Sequence, residues 1–257
     1  MITETVEDEL RYNPKKHRLP VCEAAGILAV DKPLTWTSFD VVNFVRSRFN
    51  VPKVGHCGTL DPAATGLLLL VLGKFTALSG RLSGEDKAYD GTLTLGVETD
   101  SGDLDGKVIR RSENLPDEAR VREVFAQFKG KSQQLPPMYS AVKVGGKKLY
   151  ELARQGVEIE REPRDIEISR LEITRMELPE VDFSLDCSKG TYVRTLCMDI
   201  GTELGCGGIL SGLRRTRCGR FTLDGAVTLD ELKNMDQDQF TSLMAERLVR
   251  QLKDFGL

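Results

Sequence analysis

Asp61 stands in the stretch Gly55-His56-Cys57-Gly58-Thr59-Leu60-Asp61-Pro62. The glycines there allow tight turns, and Pro62 removes a backbone N–H directly after the acid. An apolar run, Leu67 to Leu72, follows at once. A carboxylate held on a loop above a core can serve as a nucleophile or as a general acid–base. The same dipeptide also reads as a helix start, with Asp61 as N-cap and Pro62 at the first helical position, and spacing leaves both readings open.

Two further stretches carry groups that could act on an anionic substrate. Lys189-Gly190-Thr191-Tyr192-Val193-Arg194 sets an aromatic ring and a guanidinium two residues apart. In extended backbone Tyr192 and Arg194 would face one side, and on a helix they would diverge. If they share a side, Arg194 could pair with Asp61 and keep it ionised. Otherwise Tyr192 is a core residue and Arg194 is solvated. Arg214, Arg215, Arg217 and Arg220 fall within seven positions, a pattern suited to phosphate oxygens or to a solvated face. The six cysteines form no Cys-x-x-Cys pair, and His17 and His56 are the only histidines, so no zinc spacing is present and free thiols are expected.

Composition bounds these possibilities. The 257 residues suit one large domain, or a domain with a sizeable insertion, with 40% hydrophobic and 29% charged residues, as in ordinary globular proteins. The net charge of −3 argues mildly against nucleic acid, but the charge is uneven. Lys129 to Arg154 holds six basic residues and one acid, and Cys187 to Thr222 holds six and two. A local basic face can bind phosphates on a slightly acidic molecule. The acidic N-terminus has no apolar segment and no apolar run is long enough to span a bilayer, so a cytoplasmic protein without a membrane anchor is expected.

The elements that must position these groups read as a mixture without a strict βαβ rhythm, which predicts an α+β class. Residues 1–25 read as a polar arm. Gly26 to Val30 reads as a strand stopped by Asp31-Lys32-Pro33, and Ser38 as the cap of a helix to about Phe49 with Phe39, Val42, Val45 and Arg46 at helical spacing. Gly55 to Gly66 reads as a loop, and Leu67 to Leu72 as a buried element of either type. Tyr89 to Val97 alternates as a half-buried strand, followed by an acidic turn from Asp100 to Gly106. Helices are expected within Glu113–Lys129, Lys147–Gln155 and Thr191–Leu204, and strands over Ile166–Leu178 and Val181–Cys187. Lys131 to Gly146, with Pro136-Pro137 and Gly145-Gly146, reads as a long projecting loop.

Val54-Gly-His-Cys-Gly-Thr-Leu-Asp-Pro-Ala-Ala-Thr-Gly66 resembles the catalytic-loop signature of the TruB family of pseudouridine synthases. Seven other stretches agree in order and spacing: Gly26 to Pro33, Asp86 to Tyr89, Leu95 to Asp100, Pro137 to Val142, Gly146 to Arg154, Cys187 to Leu196 and Leu204 to Gly207. The resemblance runs from about Gly26 to Leu232. It implies the pseudouridine-synthase fold, a mixed and mainly antiparallel sheet flanked by helices and loops around a central cleft, over residues 26–232. An RNA-binding insertion is implied at about 130–160. The basic insertion, with Lys147 and Lys148, is similar to that of the bacterial tRNA branch.

The resemblance also implies roles. Asp61 becomes the catalytic carboxylate, Arg194 its counter-ion and Tyr89 the ring that stacks on the target base and assists proton transfer. Tyr192 and Leu213 would line the uracil pocket, Asp103 would lie near the bound base, and His56 would insert into the T-loop. Lys147, Lys148, Arg214 and Arg215 would contact RNA. Lys32, Pro33, Gly58 and Pro62 belong to the structural motif, and Cys57 is read as packing. The implied reaction isomerises the T-loop uridine at tRNA position 55 after base flipping, without metal or other cofactor, in a monomer needing no protein partner. Alternatives are a guide-RNA-directed synthase and a tRNA-folding chaperone. Bacterial members usually carry a C-terminal domain of the PUA type; here only 25 residues follow Leu232, so a short acidic helical tail (233–257) is expected instead.

Overall fold

The computed structural model describes residues 19–140, 143–153 and 156–255, so most of the expected N-terminal arm lies outside the described residues. The chain forms two compact units, one from residues up to Glu85 together with those from Arg215 onward, the other from Asp86–Arg214. Mainly antiparallel strands with flanking helices make up both, in keeping with the pseudouridine-synthase class. No described helix is long and apolar enough to cross a membrane.

The first unit begins with β1 (Gly26–Lys32), α1 (Ser38–Phe49), β2 (Val54–Cys57), β3 (Ala64–Leu72) and α2 (Ser79–Ser83). β3 pairs antiparallel with β1, Gly26 opposite Leu72 and Lys32 opposite Gly66, and also with β2, Cys57 opposite Leu69. Leu67 to Leu72 is thus a central strand, and its unbroken apolar run reflects cover on both faces. The expected Gly55–Gly66 loop is shorter, because its first residues continue as β2 and its last begin β3. β1 likewise runs through Asp31 and Lys32 rather than stopping there. α1 is capped by Thr37, not Ser38: the Thr37 side chain accepts from the Asp40 amide while the Asp40 carboxylate accepts from the Thr37 amide. The face that packs is also different: Phe39 is 60% exposed, while Val41, Val42, Val45 and Phe49 point inward.

The second unit contains β4 (Lys87–Leu95), the hairpin of β5 (Val97–Thr99) and β6 (Val108–Arg111), α3 (Glu118–Gln127), β7 (Gly130–Gln134), the hairpin of β8 (Lys143–Val144) and β9 (Lys147–Lys148), α4 (Leu149–Ala153), β10 (Arg164–Glu177), β11 (Glu180–Cys187), α5 (Val193–Glu203) and most of β12 (Gly208–Cys218). β4, β11, β10 and β7 are consecutive antiparallel neighbours. Along β11 Val181, Phe183, Leu185 and Cys187 alternate inward and meet Val121 and Phe125 of α3 and Leu196, Cys197 and Ile200 of α5. The expected projecting loop at 131–146 is partly regular. Its first residues are β7, a polar edge strand paired with β10, and Gly145-Gly146, both at positive φ, turn the β8–β9 hairpin. Residues 141–142 and 154–155 of the insertion lie outside the described residues.

Back in the first unit, β13 (Phe221–Thr222) folds onto the end of β12, and β14 (Val227–Thr228) pairs parallel with β1. α6 (Leu229–Asn234) and α7 (Gln237–Phe255) complete it. The C-terminal segment is helical as expected, but it is bound into the unit and does not trail as a tail. Phe240 of α7 stacks on Phe49 with ring centroids 3.9 Å apart, and the Gln251 amide both accepts from Ile27 N (2.8 Å) and donates to Ile27 O (2.6 Å).

Candidate active site

Asp61 lies in the connection between β2 and β3 and is exposed. Its carbonyl accepts from Ala64 N at 3.0 Å, closing a turn with Pro62 at the second position, and β3 starts directly afterwards. No helix follows, so the N-cap reading of Asp61 is overturned. The backbone around it is clasped at several points. Leu60 N donates to the Ser38 hydroxyl (2.8 Å), which donates to Leu60 O (3.1 Å); Thr35 N donates to Pro62 O (2.9 Å). Gly58, at φ 74°, adopts the left-handed geometry that its missing Cβ permits.

Lys32 is fully buried, and its Nζ donates to Pro33 O (2.9 Å), Trp36 O (2.6 Å) and Pro62 O (3.5 Å). It therefore fastens the turn that follows β1 to the residue after Asp61. Burial lowers its pKa from 10.5 to about 8; attraction by Asp61 and Asp40 opposes this and repulsion by Arg215 adds to it. Between these two pH values the folded chain binds fewer protons than the unfolded one, so this group makes stability rise with pH across that window. Activity should move the opposite way. As pH passes about 8 the ammonium loses its charge and one of its three donors. We expect kcat to fall between pH 7 and 9 while the melting temperature does not, and the fall to vanish in Lys32→Met. A flat wild-type rate profile over that range would refute the coupling.

His56 sits on β2 opposite Leu70, half-buried, with Nδ1 buried and without a hydrogen-bond partner among the described residues. Burial first, and the Arg215 charge second, push its pKa below 6.5, so the ring is neutral at pH 7. Cys57 is fully buried in the core of this unit, as its packing reading expects, and all six cysteines are buried free thiols. Arg215 departs from expectation. It is 1% exposed, and its guanidinium donates to Leu67 O (2.7 Å) and Gly58 O (3.0 Å). A side chain so enclosed cannot present its charge to RNA. Arg214, next to it on β12, is half-buried.

In the second unit α5 opens on Tyr192, extended at φ −101° and ψ 109°, with Arg194 inside the first helical turn. Gln134 of β7 holds that start, accepting from Tyr192 N (2.7 Å) and donating to Tyr192 O (3.1 Å). Arg194 is buried. It pairs with the Asp103 carboxylate (3.5 Å) and donates to Ser101 O (3.2 Å) and Tyr139 O (2.6 Å). The other Asp103 oxygen accepts from the Ser101 hydroxyl and from Asp105 N (3.2 Å). Asp103 and Arg194 are therefore brought together, and with them the acidic turn and the Pro137–Tyr139 stretch. Tyr89 lies on β4 opposite Leu185, the residue 8% exposed at the edge of the core cluster, and Leu213 packs against the same core. The backbones of Lys147 and Lys148 form β9. Ser101 and Gln134, which hold the loops, carried no signal beyond their polarity, and Ser38 was legible only as a helix cap. Thr35 lies between Lys32 and the capping Thr37, and only its positive φ of 71° marks it.

Comparison with known proteins gives this geometry a family context. Residues 46–193 match the family model described as TruB family pseudouridylate synthase (N terminal domain), and residues 194–253 match that of the tRNA pseudouridylate synthase B C-terminal domain. The tRNA pseudouridine synthase B of Opitutus terrae is 51% identical over 215 residues, covering 83% of this chain and 89% of that protein. The corresponding enzyme of Alkaliphilus oremlandii is 50% identical over 211 residues, covering 82% and 71%. Among solved structures, a chain in the crystal structure of a Cbf5-Nop10-Gar1 complex is similar with a TM-score of 0.65 and 30% identity. The match covers 86% of this chain and 57% of that one, so this chain spans little more than half of its length.

Proposed function

Since this chain belongs to the TruB family of tRNA pseudouridine synthases and isomerises uridine in tRNA to pseudouridine, we propose that its target is the T-loop uridine at tRNA position 55 and that Asp61 is the reacting carboxylate. The observation that carries this reading is an exposed carboxylate on a turn whose backbone is clasped by Ser38, Thr35 and Lys32. The net reaction breaks the C1′–N1 bond, forms a C1′–C5 bond, and gives up the C5 proton to solvent while N1 takes one up, with no change of oxidation state or of formula. It calls for one group able to hold sugar or base covalently, or to carry a proton, at a fixed point, and a clasped loop supplies that point. The uridine reaches Asp61 only after leaving its stack, which costs a few kcal/mol.

The roles that the resemblance gives to the other residues form part of the proposal. Tyr89 stacks on the base, Tyr192 and Leu213 line its pocket, and Arg194 is the cation that accompanies Asp61. Support for His56 entering the T-loop comes from its neutral, half-exposed ring one strand-end away from the Asp61 turn. Lys147, Lys148 and Arg214 supply phosphate contacts, while Arg215 is withdrawn from that set.

The test is to incubate the purified chain alone with an unmodified tRNA transcript and map pseudouridine at single-nucleotide resolution. One modified position in the T-loop is expected, with none in a transcript carrying cytidine there. The likeness to a chain solved in a Cbf5-Nop10-Gar1 complex motivates a second reading, a guide-RNA-directed synthase that needs partner proteins. Turnover by the chain alone excludes it, and turnover only after such additions would establish it. Modification at other positions would overturn the T-loop assignment.

A further inference from the structure

Arg215 is the largest fully buried side chain of the first unit, and its charge faces two backbone carbonyls there, Gly58 O and Leu67 O. Burying a guanidinium is costly, and an apolar side chain of similar volume would fill the same space more cheaply. The position of the two carbonyls suggests what the charge is for. The last pair of the β2–β3 ladder is Cys57 with Leu69. Gly58 is the first residue after β2, Asp61 follows in the connection, and Leu67 lies on β3, which begins at Ala64, and is paired there with Asp31 of β1.

We propose that Arg215 is a positioning residue for the isomerisation, its rigid fork tying the start of the Asp61 connection to strand β3, on which that connection ends. Nε takes Leu67 O and Nη2 takes Gly58 O, two donors of one planar group whose mutual geometry does not flex. Lys32 and Ser38 hold the middle of the same connection through Pro62 and Leu60. Arg215 also lies close enough for its charge to lower the proton affinities of Lys32 and His56, which places it within the charged group surrounding the turn. The inference rests on Asp61 being the reacting group, and it assigns Arg215 no contact with RNA.

The test compares Arg215→Lys and Arg215→Met with wild type in steady-state tritium release from 5-tritiated uridine in tRNA, rates being expressed per folded molecule. A lysine keeps the charge but is shorter and lacks the planar fork whose two donors are fixed relative to each other, and methionine keeps only volume. We expect kcat to fall about tenfold in the lysine variant and about a hundredfold in the methionine variant, with KM for tRNA within about threefold of wild type, since small misplacements of a reacting group cost rates of that order. A raised KM with unchanged kcat would mark a phosphate contact and overturn the proposal. So would an unchanged kcat per folded molecule, which marks a purely structural role. If Arg215→Met does not fold, the kcat–KM split of Arg215→Lys decides alone. Failure of the underlying Asp61 assignment would show separately, as an Asp61→Asn enzyme that still turns over.

Discussion

Asp61→Asn is expected to lose at least about 10³-fold in kcat for tritium release from tRNA while binding tRNA within about threefold of wild type. The amide matches the carboxylate in size, so the exposed side chain can be exchanged without disturbing packing. The turn that presents it depends on the Asp61 carbonyl, on Pro62 and on the Ser38, Thr35 and Lys32 clasps, none of which the substitution removes. What disappears is a group able to attack carbon or exchange a proton. Asp61→Ala should show the same loss, which guards against slow reversion of the asparagine by deamidation. An asparagine variant retaining more than a tenth of the wild-type rate would remove Asp61 from the chemistry. Equal binding with no turnover would also give a direct test of the chaperone reading, because refolding of misfolded tRNA by the inactive protein would then be a separate activity.

Phe240→Ala is expected to lower the stability of the first unit by about 3–5 kcal/mol, the usual cost of emptying a buried phenyl site. Phe240 is fully buried, its ring parallel to that of Phe49 at 3.9 Å, and Met244 and Gln251 of the same helix are buried against the unit as well. In a chain of this size the loss corresponds to a fall of about 10 °C or more in melting temperature, read by circular dichroism. Phe240→Leu should recover most of it by refilling the volume. A fall of less than about 2 °C in Phe240→Ala would mean that α7 contributes little to the unit. The expectation matters for function because α7 lies along β1, the strand whose last residue, Lys32, secures the Asp61 turn.

Some of this organisation was readable in the chain and some was not, for reasons that differ by residue. Thr37-x-x-Asp40 is a capping box in plain sight, yet Ser38 competes as a cap, and Phe39 with Val42 and Val45 fits helical spacing as well as Val41 with Val45 and Phe49. Only the surface against which α1 packs separates the two. Leu67 to Leu72 could not be typed by periodicity because a strand covered on both faces has none. On β12 the alternation of the strand sends Arg215 inward and leaves Arg214 half-buried, but four arginines in seven positions look alike in one dimension.

The sequence by itself determined the family: the Asp61 loop, the Tyr89 and Arg194 stretches and their order carry the resemblance that the family models match, because short motifs and glycine- and proline-shaped turns are local features. The tertiary structure decided which charges are taken up by the scaffold. Lys32 and Arg215 became anchors of backbone carbonyls, Asp103 became a partner of Arg194, and the C-terminal segment, expected as an acidic tail, became a helix packed into the first unit. These outcomes depend on contacts between residues far apart in the chain, such as Gln251 with Ile27 and Arg215 with Gly58. Burial, which sets the cost of a charge and the value of a ring, is a property of those contacts and not of residue type.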